Sequence, residues 1–136
     1  MVASIQQQKV YNMRYSPVSL NLFTSSYVKA LEVSKNVQDN CTPLDECDFD
    51  NKILFLSDDN HSGFALSGSG ELTNVFSVFR GRGHSLVQHA LAHGASHLDC
   101  FDGYLTGFYE QHGFVEYKRE ANWNAGGSDV VFMRAL

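Results

Sequence analysis

Leu20, Phe23, Tyr27, Ala30 and Leu31 recur at intervals of three, four, three and one, which puts them on one stripe of an α-helix. Ser16 and Pro17, just before them, read as its N-cap and first helical residue. Upstream, "KVYNMRY" (9 to 15) alternates loosely, as a strand does. The helix fades near Lys35, and "DNCTPLDECDFDN" (39 to 51), with Pro43 inside it, reads as an irregular acidic loop. Three apolar runs follow, "KILFLS" (52 to 57), "GFALS" (63 to 67) and "ELTNVFSV" (71 to 78), divided by the turn sequences "DDNHS" and "GSG"; a three-strand meander is the expected result. "SLVQHALAH" (85 to 93) stripes Leu86, Val87, Ala90 and Leu91 and meets a glycine stop at Gly94. "SHLDCF" (96 to 101) is a short strand. Asp102 is placed to cap a further helix whose face carries Leu105, Phe108, Tyr109 and His112 before Gly113 ends it. "FVEYKREA" and "SDVVFMRAL" close the chain as two antiparallel strands.

The order is strand, helix, three strands, helix, strand, helix, two strands, a mixed α/β arrangement of the α+β kind. A chain of 136 residues has room for one domain with a real core, so residues 1–136 are expected to form a single unit. Apolar residues make up 43% and charged ones 18%, and no apolar run reaches the roughly 20 residues a membrane span needs, so no membrane partner is expected. "MVASIQQQKV" has neither a basic leader nor a continuous apolar segment, and Cys41, Cys47 and Cys100 are odd in number; both point to a cytoplasmic setting with free thiols. The net charge of −5 argues against nucleic acid as a partner.

Against that acidic balance, "FRGRGHSL" (79 to 86) stands out. A strand that runs through a glycine-rich turn into a helix leaves backbone N–H groups unpaired and converging on one spot, at the positive end of the helix dipole. Glycine lets the backbone approach a ligand closely, and Arg80 and Arg82 add charge for phosphate oxygens. The dinucleotide and Walker phosphate loops have other spacings, and both are absent.

"VFSVFRGRGHSL" (75 to 86) resembles the signature of the GNAT N-acetyltransferases, V-x-P-x-x-R/Q-x-x-G-x-G/A at the end of the fourth strand, with Val75, Arg80 and Gly83 on its valine, arginine and central glycine. "GFYEQHGF" (107 to 114) is similar to that family's [LF]-Y-E-x-x-G-F segment. The resemblance implies a GNAT fold: a central mixed, mostly antiparallel sheet of six to seven strands flanked by three to four helices. It implies acetyl-CoA as co-substrate. The amides of Arg80, Gly81, Arg82, Gly83, His84 and Ser85 would hold the pyrophosphate, and Val75 and Ser77 would pair with pantetheine. Tyr109 matches the tyrosine that protonates the leaving CoA thiolate, a task suited to a phenol that is protonated at neutral pH; the hydroxyl can also simply hydrogen-bond the sulfur. The implied reaction is direct acetyl transfer to a primary amine, through a tetrahedral intermediate and without a covalent enzyme adduct or a metal. Similar small GNAT-like proteins occur among tailed phages, which would put this chain in a host cytoplasm. Pairing of two copies through their last strands, here "DVVFMRAL", is also implied.

Departures from the pattern are Ser77 for proline, Ser85 for Gly or Ala, Gly103 for a cofactor-touching asparagine and Leu105 for an alanine. They support the alternative of a GNAT-like binding or virion-associated protein that has lost turnover. The acceptor, a small molecule or a protein, arrives as an ammonium and must lose a proton; Glu71 is the first candidate base and Asp99 the second. His89, His93 and His97 lack the convergence that zinc requires, and Asp45, Glu46, Asp48 and Asp50 lack the glycine and final glutamate of a calcium loop. Trp123 either anchors the last hairpin or borders the acceptor cleft.

Overall fold

The computed structural model describes residues 13–124 and 126–136; residues 9–12 of the first expected strand lie outside them. Seven strands and four helices appear among the described residues in the order β1 (Tyr15–Val18), α1 (Leu20–Val33), α2 (Lys35–Asn40), β2 (Lys52–Ser57), β3 (Ser62–Ser67), β4 (Leu72–Ser77), α3 (Gly83–Ala92), β5 (His97–Phe101), α4 (Tyr104–Glu110), β6 (Phe114–Glu120) and β7 (Val130–Ala135). They form a four-stranded antiparallel sheet, β1-β2-β3-β4, and a three-stranded antiparallel sheet, β5-β7-β6.

Three expected boundaries move. Ser16 and Pro17 belong to β1, paired with Leu56 and Phe55, and the cap of α1 is Ser19, whose hydroxyl accepts from the Leu22 amide. Proline is tolerated there because β1 is an edge strand. The start of the acidic segment is helical: Ser34 caps α2 through the Val37 amide, and a single 3₁₀ turn at Leu44–Glu46 follows. Asp102 does not cap α4; Gly103 holds that position, and the Asp102 carboxylate instead accepts from Arg119 Nη1 at 2.7 Å. The last helix ends at Glu110, so His112 lies beyond it.

Strand alternation divides the core in two. Phe55, Phe64, Leu66, Leu72, Leu98, Val131 and Met133 meet Leu86 and Val87 of α3 and Tyr109 of α4 on one face. Leu54, Leu56, Ala65 and Phe76 meet Phe23, Tyr27 and Ala30 of α1 and Val37 of α2 on the other. Full burial of rings such as Phe23 and Phe64 is worth roughly 2 kcal/mol each. The sheet is thereby fixed between helices, and α3 and α4 are held on the same side.

Candidate active site

Among the described residues, backbone bonds join the two sheets at one place. The amides of Ser96 and His97 both donate to the Gly70 carbonyl, at 2.8 and 3.3 Å, and Glu71 and His97 form an isolated parallel bridge. Beyond it β4 pairs only with β3, and β5 only with β7. The two strands therefore separate and leave one edge of β4 without a strand partner among the described residues. That edge is bent by a bulge: Thr73 pairs with Ala65 and Phe76 with Gly63, so Asn74 and Val75 both face Phe64. Asn74 takes φ 53°, a conformation that costs about 1 kcal/mol in a residue other than glycine. Two thiols tie the bulge down. The Asn74 side-chain Nδ2 donates to Cys47 Sγ at 3.1 Å, and Cys41 Sγ donates to the Val75 carbonyl at 3.4 Å.

Past Ser77, whose hydroxyl donates to the Phe79 carbonyl at 2.6 Å, the chain turns through Gly81 at φ +86° and enters α3. Glycine is required at 81 by that angle and at 83 by space, since a Cβ there would lie 2.9 Å from the Phe108 ring. The amides of Arg80, Gly81, Arg82, Gly83, His84 and Ser85 donate to no protein acceptor among the described residues. Helix α3 has no side-chain cap and no acid in its first turn. Several unpaired donors at a positive helix end make an anion-binding concavity.

The two arginines part company. Arg80 is exposed, but Arg82 is only 7% exposed, and its guanidinium is not free for phosphate as expected: Nη1 and Nη2 bond the two Asp59 oxygens at 2.9 and 2.5 Å. Arg82 Nε, also buried, has no partner among the described residues. The His84 ring is likewise engaged, with Nδ1 2.9 Å from His112 Nε2 and Gln88 Nε2 3.2 Å from His112 Nδ1. Burial, with His84 beside it, lowers the His112 pKa.

Tyr109 stacks on Phe108 and meets Phe114 edge-on. Burial pushes its phenol well above the ordinary tyrosine value, with Cys100 and Cys41 adding to the rise. Val75 of β4 and Cys100 of β5 pack against the same core cluster as Tyr109. Its hydroxyl has no hydrogen-bond partner among the described residues. Burial raises both thiols to about 11, which keeps them protonated and unreactive at neutral pH.

Glu71 marks the point of convergence, with a carboxylate oxygen 3.9 Å from His97 Nε2. Because Leu72 packs on the α3 face, Glu71 points to the opposite side of the sheet from Tyr109. Asp99 is exposed on β5. The histidines are dispersed: His89 packs on Tyr15, His93 on Phe55, and His97 faces Glu71. Trp123 is 98% exposed, which removes its reading as a buried anchor. The Asp59 partner of Arg82, the His84–His112 contact and the Cys41 and Cys47 contacts carry no local sequence signal; each joins residues more than twenty positions apart.

No family model matches the chain, and no curated protein sequence does. Solved structures do. The ribosomal-protein-S18-alanine N-acetyltransferase from Escherichia coli superposes with a TM-score of 0.60 at 15% identity, over 90% of this chain and 92% of that one. A GCN5-related N-acetyltransferase from Rhodopseudomonas palustris gives 0.59 at 15%, over 99% and 98%. A chain of the NatC complex, solved with Gag peptide and CoA, gives 0.56 at 15%, over 90% and 97%. The chain has the GNAT fold. Val75 of β4, Cys100 of β5, Leu86 of α3 and Tyr109 of α4 pack in one core cluster, and Gly83 at the start of α3 lies against the ring of Phe108, the neighbour of Tyr109. Surface hollows lie elsewhere, one along α1 from Thr24 to Glu32 and one between His97, Tyr117 and Arg134. Among the described residues, no helix is long and apolar enough to cross a membrane.

Proposed function

We propose that this chain is an acetyl-CoA-dependent N-acetyltransferase that moves an acetyl group directly to a primary amine. One observation carries the reading: six amides, unpaired among the described residues, gather at the uncapped start of α3. The amides suit a diphosphate. The free edge of β4 suits the amides of pantetheine. The CoA of the NatC complex agrees with this assignment.

In the reaction, the acceptor nitrogen loses a proton to water, because Glu71 faces away from Tyr109, and attacks the thioester carbonyl. The C–N bond forms, the C–S bond breaks, and the sulfur leaves with the electron pair. Tyr109 meets that sulfur. Its pKa lies above the ordinary tyrosine value and well above that of an ordinary thiol near 8.5, so full proton transfer to a thiolate is uphill. The phenol serves by donating a hydrogen bond while charge develops, and the proton that completes the thiol comes from the amine by way of solvent. Acceptors are amines of small molecules or of proteins. The three free cysteines suit a cytoplasmic setting.

A coenzyme-binding protein without turnover is the competing reading. The Val75 carbonyl, which would pair with pantetheine, already accepts from the Cys41 thiol. Thiol release from acetyl-CoA with a panel of amines separates the two: release above the uncatalysed rate supports the enzyme, and coenzyme binding with no release on any amine supports the binding protein.

A further inference from the structure

The turn that leads into α3 is anchored from outside itself. Arg82 is its last residue before the helix, and it reaches across to the β2–β3 hairpin, where Asp59 takes both terminal nitrogens of the guanidinium. Nη1 also donates to Ser62 Oγ at 3.2 Å. Asp59 is fixed in turn: Ser57 Oγ donates to Oδ1 at 2.8 Å and the His61 amide does so at 3.1 Å. Behind them the hydroxyls of Ser57 and Ser62 lie 3.0 Å apart, and the Tyr15 hydroxyl meets Ser62 at 2.9 Å. The same hairpin holds the other end of the turn, where the Val78 amide donates to the His61 carbonyl at 2.9 Å.

This arrangement has two consequences. A bidentate arginine–carboxylate pair fixes orientation as well as distance, so the backbone at Arg82 cannot rotate without breaking two charge-assisted bonds. The Asp59 carboxylate also neutralises the Arg82 charge, so the cation cannot swing out and bind an anion in place of the main chain. The geometry points to Asp59 as a positioning residue: acting through Arg82, the β2–β3 hairpin holds the amides of the turn in the arrangement that grips a diphosphate. This rests on the coenzyme reading above, and it adds a remote determinant that touches no ligand.

Calorimetry with CoA on purified, folded protein tests it, with thermal unfolding measured beside it. Wild-type protein must bind CoA; if it does not, the coenzyme reading fails before the clamp is tested. In Asp59→Asn the fork loses its charge, and CoA should bind about 10-fold or more weakly, because small displacements of aligned donors are costly. The double variant Asp59→Asn/Arg82→Gln removes the buried unpaired charge as well, so it should regain part of the lost melting temperature yet still bind CoA weakly. Asp59→Glu, which restores a carboxylate, should recover more affinity than Asp59→Asn. The inference is overturned if folded Asp59→Asn binds CoA like wild type, or if affinity in the double variant returns in step with stability.

Discussion

Replacing Tyr109 by phenylalanine removes one oxygen and keeps the ring contacts with Phe108 and Phe114, 5.2 and 5.8 Å away between centroids. That oxygen bonds no protein group among the described residues, so the change should alter unfolding free energy by no more than about 0.5 kcal/mol. During transfer it is expected to donate to a sulfur carrying negative charge, an interaction worth about 1.5–3 kcal/mol. Activity should therefore fall about 10- to 150-fold while stability stays level. The assay is thiol release at saturating acetyl-CoA, with CoA calorimetry and a melting curve on the same preparation. The expected result is a loss in kcat, with CoA affinity nearly unchanged. Full activity in Tyr109→Phe refutes the assignment of the phenol to the leaving sulfur. A drop of several kcal/mol in stability refutes the claim that its hydroxyl is unpartnered.

Other outcomes follow from the charges around the turn. The Asp59 pKa is lowered: burial alone would raise it, but the bonds from Arg82, Ser57 and the His61 amide outweigh that. A carboxylate with a depressed folded pKa contributes stability in full above its unfolded value and loses it as pH falls through the folded one. The melting-temperature gap between wild type and Asp59→Asn should thus be constant from about pH 8 to pH 5 and close below about pH 4; a gap that opens toward acid contradicts the pairing. Arg80 is exposed and unpaired in the described structure, so Arg80→Ala should weaken CoA binding only about 2- to 5-fold, with a smaller dependence on salt; a loss of a hundredfold or more would make side-chain charge, not the main chain, the principal grip.

Much of the fold was legible because its signals are local. The meander from Lys52 to Ser77, the helix after "RGRG" and the closing strands all follow from alternation, stripes and turn residues. Ser16, Pro17 and Asp102 depart from expectation for one reason: a good capping residue yields to the register of β1 or to the pull of Arg119. The turn and Tyr109 were visible in sequence, but the fate of Arg82 was not. Nothing near "RGRG" tells that one arginine is exposed and the other is locked to Asp59, twenty-three positions earlier. The bulge at Asn74 was also hidden, since its support comes from Cys47 in a segment that reads only as acidic loop.

The central claim is that main-chain donors at the start of α3 bind a diphosphate. An amide-resolved NMR titration with CoA tests it most directly. The account predicts that the amides of Gly81, Gly83, His84 and Ser85 shift first and furthest, with those along the free edge of β4 following. Amides at 80 to 85 that stay in place at millimolar CoA, whatever else in the spectrum moves, would contradict it.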